Sequence, residues 1–229
     1  MFVLTFTNPK GGSGKTTSCL VSAITLKENK YRVAVIDADK SGNMSRWVSR
    51  RKHAGKGLPF EFYRELTPED VIDRIDKLEE SGDYDLCLID TEGTANLIVG
   101  AALSRTDLAI IPMTPSQMDA DQASEGASII RGASKQIRRN IPFLFVFTRA
   151  SSIMTLEHKG IMKDLKDANL DYSRASLIER AAYRRLFTNG EIMTELDLTP
   201  KQQASARTNA LAFVNAILLT LQKHAQTAA

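Results

Sequence analysis

Asn8-Pro9-Lys10-Gly11-Gly12-Ser13-Gly14-Lys15-Thr16-Thr17 stands directly behind the apolar run Phe2–Phe6 and directly ahead of a helix-forming stretch. A strand that empties into a glycine-rich loop and then a helix is a phosphate cradle. Glycines let successive backbone N–H groups point inward, and the helix N-terminus adds partial positive charge. Lys15 is placed to reach the β- and γ-phosphates of a nucleotide, and Thr16 to offer its hydroxyl to Mg²⁺. The following stretch, Thr16 to Lys27, carries Leu20, Val21, Ile24 and Leu26 and no proline, as a helix requires. The strict pattern G-x-x-x-x-G-K-[ST] fails at one position, where Pro9 replaces the first glycine. A second lysine, Lys10, lies five residues before Lys15.

Two further apolar strands end in acids. Arg32–Ile36 runs into Asp37-Ala38-Asp39, and Leu86–Ile89 into Asp90. Parallel strands of one sheet present their C-terminal ends on the same edge, so Asp37, Asp39 and Asp90 can converge on the loop. The loop resembles the deviant Walker A motif, K-G-G-x-G-K-T-T, of the ParA/MinD family of ATPases. Asp37-Ala38-Asp39 looks like that family's A′ motif, and Leu86–Asp90 like its Walker B. The resemblance implies that Lys10, Gly11, Gly12, Ser13, Gly14, Lys15, Thr16 and Thr17 bind ATP or ADP. It implies Mg²⁺ held by Thr16 and Asp90 with Asp37 in support, a water oriented by Asp39, and Lys15 neutralising phosphate charge. Lys10 would reach the nucleotide of a partner subunit, so ATP would switch on a homodimer with weak intrinsic hydrolysis. Thr148-Arg149 occupies the place where the family often has Asn-Arg near the adenine.

The chain departs from the family after both acids. The A′ motif continues as Lys40-Ser41-Gly42-Asn43 rather than Pro-Gln-Gly, and Walker B as Thr91-Glu92-Gly93-Thr94 rather than x-Pro. The latter form, with Ser45-Arg46-Trp47, is more similar to a conjugation-associated branch, that of the T-DNA transfer (virulence C operon) ATPase. That similarity extends to Glu179-Arg180-Ala181-Ala182-Tyr183 and Gly190, so it covers nearly the whole chain.

At 229 residues, 43% hydrophobic and 25% charged, the chain suits a single domain spanning 1–229. The alternation of apolar runs and helical patterns predicts a mostly parallel, doubly wound α/β sheet with helices on both faces. Strands are expected at 2–7, 32–37, 59–63, 84–90, 107–112, 142–147 and 173–178. Helices are expected near 15–29, 43–53, 67–80, 116–139, 156–168, 179–188 and 201–224. Cys19 and Cys87 fit neither a zinc site nor a disulfide framework, which points to a reducing cytoplasm. The short apolar start lacks a basic leader, and a loop beginning at residue 9 leaves no room for an N-terminal helix-turn-helix.

The net charge of +3 is uneven: residues 116–229 hold 15 basic and 11 acidic residues. Arg131, Lys135, Arg138 and Arg139 have the spacing of one helix face, and further clusters are Arg174, Arg180, Arg184, Arg185 and Arg46, Arg50, Arg51, Lys52. Such clusters suit sequence-independent contact with phosphates. Arg138, Arg139, Arg184 and Arg185 are the foremost candidates for nonspecific double-stranded DNA. The apolar positions Leu211, Val214, Leu218 and Leu221 have helical spacing but few flanking cations, which favours a packing helix over a membrane-surface one. The function expected is an ATP-switched dimer, nucleoid-associated, in plasmid or chromosome partition, released by a centromere-binding protein. The alternatives are a relaxosome accessory ATPase in DNA transfer and a MinD-like ATPase positioning a membrane or protein cargo.

Overall fold

The computed structural model describes residues 1–93 and 96–228, so Thr94 of the Walker B continuation lies outside the described residues. Seven strands form one parallel sheet in the order β3-β2-β4-β1-β5-β6-β7. They are β1 (Phe2–Phe6), β2 (Val33–Ala38), β3 (Glu61–Arg64), β4 (Leu86–Thr91), β5 (Leu108–Met113), β6 (Phe143–Ala150) and β7 (Leu177–Ile178). β2, β4 and β5 are buried along their whole length, which is why they read as unbroken apolar runs. β3, at the edge, is only half buried and mixes Glu61 and Arg64 with Phe62 and Tyr63.

The helices are α1 (Lys15–Glu28), α2 (Asn43–His53), α3 (Pro68–Ser81), α4 (Leu97–Ser104), α5 (Gln117–Ile137), α6 (Leu156–Asp167), α7 (Ala181–Asn189) and α8 (Pro200–Ala228). α1, α2, α7 and α8 cover one face of the sheet, around Leu20, Ile24, Trp47, Leu186 and Phe213. α3 and α4 share a core with β2 and β4, and α5 and α6 with β5 and β6, on the other face. α8 is long and apolar enough to cross a membrane by length and composition. Its stripe Ala206, Ala210, Phe213, Val214, Ile217 and Leu221 is instead buried in the core it shares with α1.

Local chemistry sets the boundaries. Thr67 accepts a hydrogen bond from Asp70 N at 3.1 Å, Pro68 opens α3, and Gly82 closes it in the left-handed region. α4 is absent from the expected helices. It is eight residues, apolar on every side and interrupted by Gly100, so it carries no 3.6-residue pattern; Asn96 caps it through Val99 N at 2.9 Å. The seventh strand shrinks to Leu177 and Ile178 because its pairing with β6 is broken: Tyr172 makes only an isolated bridge to Phe145, and a bulge falls between Thr148 and Ala150.

The helix expected through residue 139 stops short, so Arg138 and Arg139 do not continue the α5 face of Arg131 and Lys135, although all four stay exposed. α5 ends at Ile137, and Arg138 turns into the left-handed region with φ 54°. Arg139 then donates to the Ser104 and Thr106 carbonyls at 3.2 and 2.9 Å, closing the end of α4.

Candidate functional site

β1 lies at the centre of the sheet, so the loop that follows it emerges between the ends of β4 and β5. Asn8 anchors that loop by donating to the Pro112 carbonyl at 2.7 Å and accepting from Lys10 N at 2.8 Å. Gly14 sits at φ 95°, and a Cβ there would lie 2.9 Å from the Thr148 hydroxyl. Only glycine serves both demands. A Cβ at Gly93 would meet the Pro9 carbonyl at 2.9 Å and Lys15 Nζ at 3.2 Å, so the Walker B continuation also touches the loop.

Lys15 is buried, and its ammonium donates to the Asn8 and Lys10 carbonyls at 3.0 and 3.1 Å. Burial lowers its pKa, and the charges of Asp90, Asp39 and Glu92 oppose that shift. The ammonium therefore spans the mouth of the loop, among carboxylates, with no ion pair among the described residues.

The three acids meet but do different things. Asp37 and Asp90 are register neighbours on β2 and β4. Both Asp37 oxygens accept from their own loop: one from Asp39 N at 3.2 Å, the other from Ser45 N at 2.9 Å and the Ser45 hydroxyl. Asp37 thus ties the start of α2 down; neither it nor Asp90 reaches the cavity wall. Asp39 does line the cavity; its oxygens accept from Ser41 N and Oγ at 2.8 and 2.6 Å. Asp90 is fully buried, and neither of its oxygens has a hydrogen-bond partner among the described residues. Burial first, and then the charges of Asp37 and Asp39, push its pKa up to about 8, while the Thr16 hydroxyl and Lys15 pull it down.

An orphaned buried carboxylate beside a threonine hydroxyl fits a hard cation. Mg²⁺ is typically held by one or two carboxylates with phosphate oxygens and waters completing the shell. Asp90 and Thr16 could supply that arrangement. Among the described residues no cluster of three or more His, Cys, Asp or Glu side chains forms a metal cage.

Lys10, the extra lysine, is held within the chain. Its ammonium pairs with the Asp119 carboxylate in the first turn of α5, whose other oxygen accepts from Thr114 N at 3.1 Å and the Thr114 hydroxyl. These contacts hold the Asp119 carboxyl below its usual range despite burial.

The loop opens onto a cavity of about 580 Å³, with Gly11, Gly12, Gly14 to Thr17, Asp39, Glu92 and Arg149 on its walls. Ser41, Asn43, Arg46 and Arg50 from the α2 side, and Phe187 from α7, complete it. None of these last five was singled out as a site residue. Arg46 and Arg50 did appear in a charge cluster, but Phe187 gave no signal at all. A smaller recess of about 140 Å³ adjoins it, walled by Gly14, Thr17, Leu177, Ile178 and Tyr183. Arg149, at φ 50°, lines both spaces. Thr148 is buried beneath the loop, where its hydroxyl donates to the Ser13 carbonyl at 2.7 Å, so it braces the loop as well as flanking the recess. Arg184 pairs with Glu179 at 2.6 Å, and Arg185 donates to the Asp197 carbonyl at 2.8 Å.

A family model described as VirC1 protein matches residues 1–221. The chain is 29% identical over 224 residues to Protein ParA of Rhizobium radiobacter, covering 96% of this chain and 98% of that one. A putative plasmid partition protein of Borrelia burgdorferi, solved with AMPPNP, superposes with a TM-score of 0.68 at 19% identity, covering 96% of this chain and 99% of that chain. The cell division ATPase MinD of Pyrococcus furiosus superposes with a TM-score of 0.71 at 15% identity, with the same coverages of 96% and 99%. The two structures share this fold.

Proposed function

For a chain that belongs to the VirC1 family, among the ParA/MinD-type ATPases, we propose an Mg²⁺-dependent, ATP-switched homodimer that binds duplex DNA nonspecifically and serves DNA partition. The observation that carries the nucleotide part is Asp90: a buried carboxylate whose two oxygens have no hydrogen-bond partner among the described residues, within electrostatic reach of Thr16 and Lys15. Leaving such a group unpaired costs several kcal/mol in a structural protein, so its retention points to a ligand.

Thr16 and Asp90 would hold the metal, which when bound neutralises charge on the β- and γ-phosphates. Lys15 would exchange its two carbonyl contacts for phosphate oxygens, a direct gain for an ammonium surrounded by acids. The loop N–H groups from Gly11 to Thr17 would cradle the phosphates, and the recess beside Leu177 and Tyr183 would take the base, with Arg149 between the two. Asp39, fixed by Ser41, would orient the attacking water. Lys10 would leave Asp119 to serve the second subunit's site, which makes assembly and hydrolysis interdependent. The protein would work in the cytoplasm on the nucleoid, with a partner protein stimulating turnover.

A second reading, an accessory ATPase in DNA transfer, draws on the VirC1 match itself; the near full-length likeness to a ParA protein favours partition. The test of the shared part is mass measurement by light scattering with ATP and Mg²⁺, using Asp39→Ala to block turnover. A stable dimer with ATP and a monomer with ADP is expected. A monomer in both would remove the switch.

A further inference from the structure

Two stretches without a carboxylate, remote in sequence, meet beside the nucleotide cavity. Residues 40–60 contain Lys40, Arg46, Arg50, Arg51, Lys52 and Lys56 and no Asp or Glu; residues 180–190 contain Arg180, Arg184 and Arg185 and none. The structure packs the helices they form, α2 and α7, against one another. Trp47 Nε1 donates to the Glu191 carbonyl at 3.2 Å, and Gly190 approaches so closely that a Cβ would lie 2.4 Å from Arg51 N. Between the two helices runs an open groove of about 610 Å³, lined by Arg46, Ser49, Arg50, His53, Thr188 and Asn189. The four α2 residues are spaced i, i+3, i+4 and i+7, a single helix face.

The arginines of this groove make no ion pair among the described residues. Arg46 donates to the Ser41 carbonyl and Asn43 Oδ1, and Arg50 to the Phe187 carbonyl, so neither meets a carboxylate. Elsewhere Arg184 pairs with Glu179 and Arg51 with Glu195, while Arg139 donates to two carbonyls at the end of α4. We propose that the α2–α7 groove is the track for the phosphodiester backbone of duplex DNA, with Arg46 and Arg50 as its principal cations. This rests on the DNA reading above and gives it a location different from the α5 cluster.

Concavity and polarity favour a nucleic acid over a membrane surface. The exposed large hydrophobic side chains are Phe2, Leu66, Leu97, Met118, Ile153, Met154, Leu156, Leu211 and Leu219, and none lies on α2 or α7. Membrane-surface helices need such side chains to insert. The groove also extends past the nucleotide cavity: His53 and Asn189 line the groove alone, whereas Arg46 and Arg50 line both. Arg46 therefore connects the two spaces. It holds the Ser41 carbonyl, and Ser41 in turn holds Asp39. Any shift of this loop on nucleotide exchange re-aims Arg46 in the groove, which couples the grip on DNA to the nucleotide state.

The test is fluorescence anisotropy with a nonspecific duplex at two salt concentrations, each protein at a nucleotide level shown saturating by its own titration. Arg50→Glu with His53→Glu is expected to weaken ATP-state binding tenfold or more and to flatten the slope of log K against log salt by about 1–2. Ser49→Glu, which places a carboxylate in the groove without removing a contact, is expected to act in the same direction. Lys135→Glu with Arg138→Glu, across the sheet, is expected to stay within about twofold. If only the α5 variant loses affinity, the groove is not the DNA surface and the DNA reading survives. If the wild type binds no duplex in any nucleotide state, or binds anionic vesicles through the groove instead, the groove proposal falls together with the DNA reading.

Discussion

Replacing Asp90 by asparagine is expected to make the nucleotide-free protein more stable at neutral pH while removing its response to Mg²⁺ and ATP. The carboxyl is fully buried without a hydrogen-bond partner among the described residues, and its pKa rises from the ordinary carboxylate value of 3.8 to about 8. A raised folded-state pKa means that the folded protein binds the proton more tightly than the unfolded chain. The penalty is therefore absent below about pH 4, grows as pH rises, and is complete above about pH 8. A shift of about four units at about 1.4 kcal/mol each sets a ceiling of about 6 kcal/mol. Relaxation around the charge brings the expected difference to a few kcal/mol, equivalent to about 5–10 °C in melting temperature for a chain of this size. The assay is thermal unfolding of wild type and Asp90→Asn in EDTA from pH 5 to pH 8.5. The two curves should lie close at pH 5 and diverge upward in pH, the variant melting higher. Adding Mg²⁺ with ATP should then raise the wild type and leave the variant where it was. A variant that melts lower than wild type at pH 8 in EDTA would refute the reasoning, because Asp90 would then be a structural partner.

Four other substitutions probe separate parts of the molecule. Asp119→Asn removes the internal partner of Lys10, so ATP-induced dimerisation should occur at several-fold lower ATP or protein concentration in light scattering. Lys10→Ala should bind ATP in a fluorescent-nucleotide titration yet remain monomeric. Gly14→Ala combines a disallowed φ with a contact on Thr148 and should lower nucleotide affinity by more than about tenfold, read by the same titration. Arg51→Met breaks a pair in which Arg51 Nη1 and Nη2 meet the Glu195 carboxylate at 2.7 and 3.0 Å; about 3 kcal/mol is expected to be lost in denaturant unfolding. Because Arg51 holds the Glu195 pKa down to about 2, the wild-type advantage should itself fade as pH drops from about 4.5 toward 2.

Much of this architecture was legible because the site and the fold share their signals. Phe2–Phe6, Asp37–Asp39 and Asp90 mark three strand ends, and strand ends define both the sheet edge and the phosphate site. What escaped was whatever depended on tertiary contact. α4 gave no periodicity because it is covered on several sides, and β7 is a strand only where β6 lends it partners. The Arg131–Arg139 spacing fitted a helix, but Asn140, Ile141 and Pro142 follow a chain that has already turned at Arg138, with Ser134 Oγ accepting from Ile141 N at 3.1 Å. That Asp37 accepts from Asp39 N and from Ser45 is a contact of the folded loop which no local pattern announces. The meeting of α2 with α7, which places Phe187 beside Arg46 and Arg50, joins segments more than a hundred residues apart that no local pattern connects.

The most direct measurement is the affinity for nonspecific duplex DNA without nucleotide, with ADP and with ATP and Mg²⁺, each at low and at physiological salt. Salt-sensitive binding confined to the ATP state is the expected result for a nucleotide-switched DNA-binding dimer. Equal binding in all three states, or none in any, would contradict it.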